Sequence, residues 1–295
     1  MFENIEAVLF DIDNTVWHTE EYLDIAVNAA VIRMKARGLN APTRKAAVQK
    51  WMEFYRQDRN ARDHFNRLVE HFNGRVIPAI IAAGINAFKK MQMSALIAYP
   101  DVKHTLDGLM DEVMLGIVST GDEIDQNKKL DLLELLDYFR ERENGIYSDS
   151  YNIFVTNDEL SKPDPYLFEQ AQKVMGFDPR YAVYVGDRYE TDCLGARIAG
   201  LIPVIVKTGR YANEELHYAA SKVYENVKDR LYTERVLEVL KGKKLIDIQE
   251  FMKPEGEIGC MRELADALVI IDKKLYKGSS LRPVHGVHSR DKEAA

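Results

Sequence analysis

The densest concentration of chemistry in the 295-residue chain is the stretch Ala7 to Thr15, which reads AVLFDIDNT. Two carboxylates, Asp11 and Asp13, stand one residue apart where the apolar run Ala7–Phe10 stops. Such a run suits a strand buried on both faces of a parallel sheet. Its carboxyl end is where open α/β sheets bind ligands. Carboxylates beside a core are costly unless something positive compensates them, and a divalent cation is the obvious candidate. Asp and Asn also favour turns through local hydrogen bonds, so a plain strand-to-loop turn is the competing reading of this stretch alone.

Three later stretches carry groups of the same kind. Ser119-Thr120-Gly121-Asp122 follows the apolar run Val113–Val118. Hydroxyls and a glycine between a strand and a helix N-terminus make a candidate phosphate cradle, because free backbone N–H groups point at the ligand there. Ser-Gly and Thr-Gly turns are also common without a ligand. In Ser161-Lys162-Pro163-Asp164-Pro165 the prolines keep Lys162 out of a helix interior and leave it on a short loop, where a solvated lysine is the ordinary outcome. The run Ala182–Val185 ends in Gly186-Asp187-Arg188-Tyr189-Glu190-Thr191-Asp192. Here Gly186 allows a tight turn, Asp187 takes the strand tip, and Asp192 opens the next helix. A second pair of acids at a second strand end is hard to explain as turn chemistry.

The elements that must position these groups alternate as in an α/β protein. Strand-like runs recur at Ala7–Phe10, Val113–Val118, Ile153–Thr156, Ala182–Val185 and Ile202–Val206, the last leading to Lys207-Thr208-Gly209-Arg210. Between the first two runs the period is helical throughout. Leu23, Ala26, Val27, Ala30 and Met34 mark one face, behind Thr19 as N-cap, and Val48, Trp51, Met52 and Tyr55 a second. Phe65, Leu68, Val69 and Phe72 mark a third, and Ile77, Ile80, Ile81, Ile85, Phe88 and Met91 a fourth. Four amphipathic helices with no strand among them suggest a helical bundle, residues 17–96, inserted into an α/β domain formed by residues 1–16 and 97–295. Residues 212–262 read as helical and charged, Ala267–Ile271 reads as a last strand, and the stretch from Gly278 onward reads as a polar, disordered tail.

Composition narrows the partners. A formal net charge of -7 argues against a general nucleic-acid binder and requires local positive charge for any anionic substrate. Cys193 and Cys260 are too few and too distant for a disulfide framework, which suits a reducing cytosol. The opening residues Met1-Phe2-Glu3-Asn4 lack the features of a signal peptide. The apolar helical stretch Val76–Phe88 is too short for a bilayer, so a cytoplasmic protein without a membrane partner is expected. Nothing in the sequence marks an oligomeric state.

Taken in order, DIDNT, STGD, KPDP and GDRYETD resemble the haloacid dehalogenase superfamily, in its phosphatase branch, over Phe2 to Arg210. The resemblance implies a Rossmann-like parallel sheet with a helical cap between the first two motifs. It also implies a Mg²⁺-dependent phosphatase acting on a small phosphorylated metabolite. Asp11 would be the nucleophile that becomes an aspartyl-phosphate and Asp13 the acid and base. Ser119, Thr120, Gly121 and Lys162 would hold the phosphoryl group. Mg²⁺ would sit on the Asp11 side chain, the Asp13 main-chain carbonyl and Asp187, with Asp192 behind them. Asn14 stands where many relatives carry glycine, a replacement eased by the tolerance of Asn for left-handed backbone. Thr120-Gly121 stands where Asn-Gly is common. A phosphomutase would use the same residues, and a non-catalytic phosphate binder would have no need of Asp13. Relatives end soon after the fourth motif with a strand, which Ala265–Ile270 resembles, so residues 212–262 read as an insertion.

Overall fold

The computed structural model describes residues 2–57, 63–94, 96–143 and 146–276. The chain divides into two compact units, Met1–Trp17 with Ala98–Ala295, and His18–Ile97. The residues from Gly278 onward lie outside the described residues.

The described residues form eight strands: β1 (Ala7–Phe10), β2 (Met114–Thr120), β3 (Arg140–Glu143), β4 (Ile146–Tyr151), β5 (Ile153–Thr156), β6 (Ala182–Gly186), β7 (Ile202–Val206) and β8 (Gly256–Ile258). The helices are α1 (Thr19–Ala36), α2 (Arg44–Gln57), α3 (His64–Asn73), α4 (Pro78–Ser94), α5 (Val102–Leu109) and α6 (Glu123–Leu132). They continue as α7 (Tyr166–Met175), α8 (Leu194–Ile198), α9 (Leu216–Lys228), α10 (Glu234–Leu240), α11 (Leu245–Met252) and α12 (Leu264–Tyr276).

In the first unit six strands form one parallel sheet in the order β5-β2-β1-β6-β7-β8, and β3 and β4 make a separate antiparallel pair. The strand β1 is central and wholly buried, as its unbroken apolar run requires. Phe10 pairs in register with Ile117 and with Val185. The strand ends that carry Asp11, Ser119 and Asp187 are therefore level along one edge of the sheet. Leu9, Val118 and Tyr184 belong to one apolar cluster with Leu167, Phe168 and Ala171 of α7. Each of the Leu, Val and Phe side chains among them contributes about 1.5–3 kcal/mol on burial. Helices α9, α10 and α11 join a second cluster through Val223, Val236, Leu240, Ile248 and Met252. That cluster includes Tyr189 and Cys193, the ends of a single π-helical turn, Tyr189–Cys193, that carries Asp192.

Two sequence expectations need correction. The strand-like run Ala267–Ile271 lies on α12, where Leu264, Leu268 and Ile271 are buried at helical spacing while Ile270 is 57% exposed. The sheet's edge strand is instead β8, which pairs with β7 and falls inside residues 212–262, so that segment is not purely an insertion. Smaller shifts occur at helix starts. His18, not Thr19, is the N-cap of α1; at α7 the N-cap is Pro165, and Asp164 Oδ1 accepts the Tyr166 N–H at 2.9 Å.

The second unit is built from α1 to α4. Trp51 stacks on Tyr55 with ring centroids 5.3 Å apart and meets Phe65 and Phe88 at 5.6 and 5.8 Å. A Cβ at Gly84 would come within 2.5 Å of Met34 Sδ, so glycine lets α4 lie close against α1. Met34, Trp51 and Phe65 are buried in its core.

Candidate active site

Asp11 sits just beyond β1, anchored by its own N–H to the Val185 carbonyl at 2.9 Å. Its Oδ1 accepts a hydrogen bond from Ser119 Oγ at 2.8 Å and lies 2.9 Å from Lys162 Nζ. The lysine also donates to Asp192 Oδ1 and to the Tyr184 hydroxyl, each at 2.7 Å. Tyr184 in turn donates to the Val118 carbonyl at 2.7 Å. The Arg188 N–H reaches the other oxygen of Asp192 at 3.0 Å. Asp192 is thus satisfied on both oxygens. A Cβ at Gly186 would meet its carboxylate at 2.5 Å, so glycine is required for the turn to fold this closely.

Asp187 stands apart in this respect. It is buried, and its Oδ2 has no hydrogen-bond partner. One carboxylate oxygen each from Asp11, Asp187 and Asp192 lies within 4.8 Å of the others. Burial raises the Asp187 carboxyl well above its ordinary range, and the facing charges of Asp192 and Asp11 raise it further. Burial likewise raises Asp11; Asp192 and Asp13 add to the effect and Lys162 opposes it. Burial works against the Lys162 ammonium, but Asp11 and Asp192 outweigh it and its pKa is raised. One lysine among three buried carboxylates leaves excess negative charge and an orphaned oxygen. That donor set fits a hard divalent cation, which takes oxygen ligands and tolerates few carboxylates.

Asp13 faces different partners. Lys129 Nζ lies 2.7 and 3.0 Å from its two oxygens, Gln126 Nε2 3.3 Å from Oδ2, and Trp17 Nε1 3.0 Å from Oδ1. Burial alone would raise this carboxyl, but the Lys129 charge and the hydrogen bonds from Lys129, Gln126 and Trp17 outweigh it and hold it below the usual range. The charged form is the resting one.

The second motif is partly extended. Ser119 and Thr120 are the last residues of β2, and the Gly121 N–H continues the ladder to the Thr156 carbonyl at 2.9 Å. That N–H is therefore committed within the sheet, and Thr120 Oγ1 accepts the Lys162 N–H at 3.3 Å. Ser119 is the member that touches Asp11. Asn14 has a φ of +57°, and Gly209, at +56°, leaves room for it, since a Cβ there would lie 2.6 Å from Asn14 Cγ. The Thr208 hydroxyl donates to the Asn14 carbonyl.

The structure brings together Asp11, Ser119, Lys162, Asp187 and Asp192, with Asp13 beside them. Three neighbours escaped the sequence reading. Tyr184 lies hidden in an apolar strand. Gln126 and Lys129 sit three apart on α6 after its N-cap Asp122, and that i, i+3 spacing behind the second motif was the available signal.

Comparison with known proteins supplies the family. Residues 5–200 match the family model described as haloacid dehalogenase-like hydrolase. A glyceraldehyde 3-phosphate phosphatase of Methanopyrus kandleri is 30% identical over 216 residues, 72% of this chain and 88% of the relative. One from Methanocaldococcus jannaschii is 31% identical over 215 residues, 72% of this chain and 89% of its own length. A HAD phosphatase structure from Thermococcus onnurineus superposes with a TM-score of 0.56 at 24% identity, covering 90% of this chain and 98% of that one. A 2-haloacid dehalogenase from Pseudomonas syringae gives 0.52 at 19% identity, covering 90% and 99%, which speaks for the fold alone. The chain belongs to the haloacid dehalogenase-like hydrolases, in their phosphatase branch, and is a phosphoric monoester hydrolase with a Rossmann-like core.

Proposed function

We propose that this phosphatase hydrolyses a small phosphorylated metabolite through an aspartyl-phosphate on Asp11, with Mg²⁺ held by Asp11, Asp187 and the Asp13 carbonyl. The observation that carries the reading is the convergence of the Asp11, Asp187 and Asp192 carboxylates, the first and last of them on Lys162, with the Asp187 oxygen left unpartnered. A bound Mg²⁺ would offset the excess negative charge and let an anionic carboxylate approach an anionic phosphate. Asp192 is the outer support, since both its oxygens are already engaged by Lys162 and the Arg188 N–H.

An Asp11 oxygen attacks phosphorus as the ester P–O bond breaks. Lys162 and the Ser119 hydroxyl, already directed at Asp11, balance the charge that spreads over the phosphoryl oxygens. The Thr120 hydroxyl lies at the same strand end, whereas the Gly121 N–H is occupied by Thr156. The leaving oxygen receives a proton from Asp13. That proton arrives with the ester, whose monoanion titrates near pH 6, at about the second pKa of a phosphate monoester. Asp13 then takes a proton from the attacking water, the Asp11–phosphorus bond breaks, and inorganic phosphate leaves.

The names of the relatives favour a triose phosphate such as glyceraldehyde 3-phosphate as substrate. The free cysteines Cys193 and Cys260 support a cytoplasmic setting, and no helix among the described residues is long and apolar enough to cross a membrane. Release of inorganic phosphate is the test. Purified protein is assayed on glyceraldehyde 3-phosphate, phosphoglycolate and nucleoside monophosphates, with Mg²⁺ or with a chelator. Mg²⁺-dependent release that Asp11→Asn abolishes is expected. Transfer of phosphate between two positions of a sugar with none released would make the protein a phosphomutase instead.

A further inference from the structure

The geometry points to Lys129, assisted by Gln126, as a positioning residue that holds Asp13 in place for proton transfer at the leaving oxygen. This rests on the phosphatase reading above and assigns a role to two residues of α6 that it leaves unused. Lys129 is 8% exposed, a costly place for an ammonium, and it spans both oxygens of Asp13 at 2.7 and 3.0 Å. The Asp13 side chain itself is about one-third exposed, so the pair does not simply neutralise a deeply buried acid. The lysine also lies 5.3 Å from the Trp17 ring centroid, a cation–π contact that fixes its reach, while the Trp17 indole N–H holds Asp13 Oδ1 at 3.0 Å.

Gln126 ties this group to the nucleophile. Its Nε2 lies 3.3 Å from Asp13 Oδ2, 3.2 Å from Ser119 Oγ and 3.2 Å from the Thr120 carbonyl. Ser119 contacts Asp11. Helix α6 therefore sets the distance between the attacking carboxylate and the proton-transferring one through two side chains one turn apart. Without the α6 contacts Asp13 would lose this registration with Asp11, and misplacement of a reacting group by about 1 Å can cost about a hundredfold.

The test separates positioning from support of the fold by varying the leaving group. Lys129→Met, Lys129→Arg and Gln126→Ala are compared with wild type on glyceraldehyde 3-phosphate, whose alkoxide must be protonated, and on p-nitrophenyl phosphate, whose phenolate leaves unaided. Lys129→Met should lower kcat/KM, which reports the step that expels the alcohol and not the later hydrolysis of the aspartyl-phosphate, by about tenfold or more on the alkyl ester and by less than about threefold on the aryl ester. Lys129→Arg should recover most of the loss, and Gln126→Ala should show the same selectivity at smaller size. Equal losses on both esters, or none on either, would overturn the assignment. Should Lys129→Met fail to fold, the other two variants carry the same comparison. A second readout needs no turnover. Trp17 and Trp51 are the only tryptophans in the chain, and the Lys129 substitutions should shift the Trp17 indole N–H resonance while leaving that of Trp51 in place. An unmoved Trp17 resonance counts against the assignment. Wild type inert on both esters would refute the phosphatase reading itself, and the indole resonance would still report whether Lys129 holds Asp13.

Discussion

Replacing Asp187 by Asn should stabilise the metal-free protein while abolishing its response to Mg²⁺. The Asp187 side chain is buried, Oδ2 has no donor, and the charges of Asp11 and Asp192 face it. Leaving such a group unsatisfied costs about 1–3 kcal/mol. Asparagine keeps the shape, removes the repulsion and offers an N–H₂ to the neighbouring carboxylates. For a unit of this size each kcal/mol is worth about 2–4 °C in Tm, so the variant should melt several degrees above wild type in chelator. Wild type with Mg²⁺ at a hundredfold excess over Kd should gain about 2.7 kcal/mol, and the variant almost none. Thermal unfolding followed by circular dichroism, with and without Mg²⁺, reads both effects. A variant less stable than wild type in chelator, or equally stabilised by Mg²⁺, would refute the reasoning.

Three further outcomes follow from single contacts. Gly186→Ala places a methyl group 2.5 Å from the Asp192 carboxylate. It should cost about 1–3 kcal/mol of stability in urea unfolding and lower kcat by loosening Lys162. Ser119→Ala removes the donor to Asp11 and should lower kcat by about a hundredfold to a thousandfold in a phosphate-release assay. Burial would raise the pKa of Asp272, but the N–H groups of Asn4, Glu3 and Ile5 outweigh it and lower it. Its contribution is therefore complete above the unfolded value of about 3.9 and fades as pH falls through the lower folded value. Asp272→Ala should cost about 1 kcal/mol at pH 7, reduced by solvent, with the gap to wild type closing in acid unfolding titrations.

The site was legible in the sequence wherever its chemistry is spelled by local residues. Asp11 and Asp13 end an apolar run, and Asp187 and Asp192 follow a glycine at another, so residue type and strand end together announce them. Lys162 was readable because prolines fence it into a loop. Gln126 and Lys129 were not, because polar residues on a helix read as a solvated face until the fold turns that face toward Asp13. Tyr184 was invisible for the opposite reason, since a tyrosine in a buried strand reads as bulk although its hydroxyl meets Lys162. In the fold, β8 escaped because Gly256-Glu257-Ile258 has one buried apolar residue and owes its strand geometry to pairing with β7. The run Ala267–Ile271 misled because a short apolar stretch fits strand and helix alike, and only the buried Leu264, Leu268 and Ile271 reveal the helical stripe.

The most direct measurement is an acid quench during turnover of a ³²P-labelled ester in the presence of Mg²⁺. Asp11 as nucleophile predicts radiolabel on the wild-type protein, released by hydroxylamine as an acyl phosphate would be, and none on Asp11→Asn. Rapid phosphate release with no label on the chain, or a label that survives in Asp11→Asn, would contradict it.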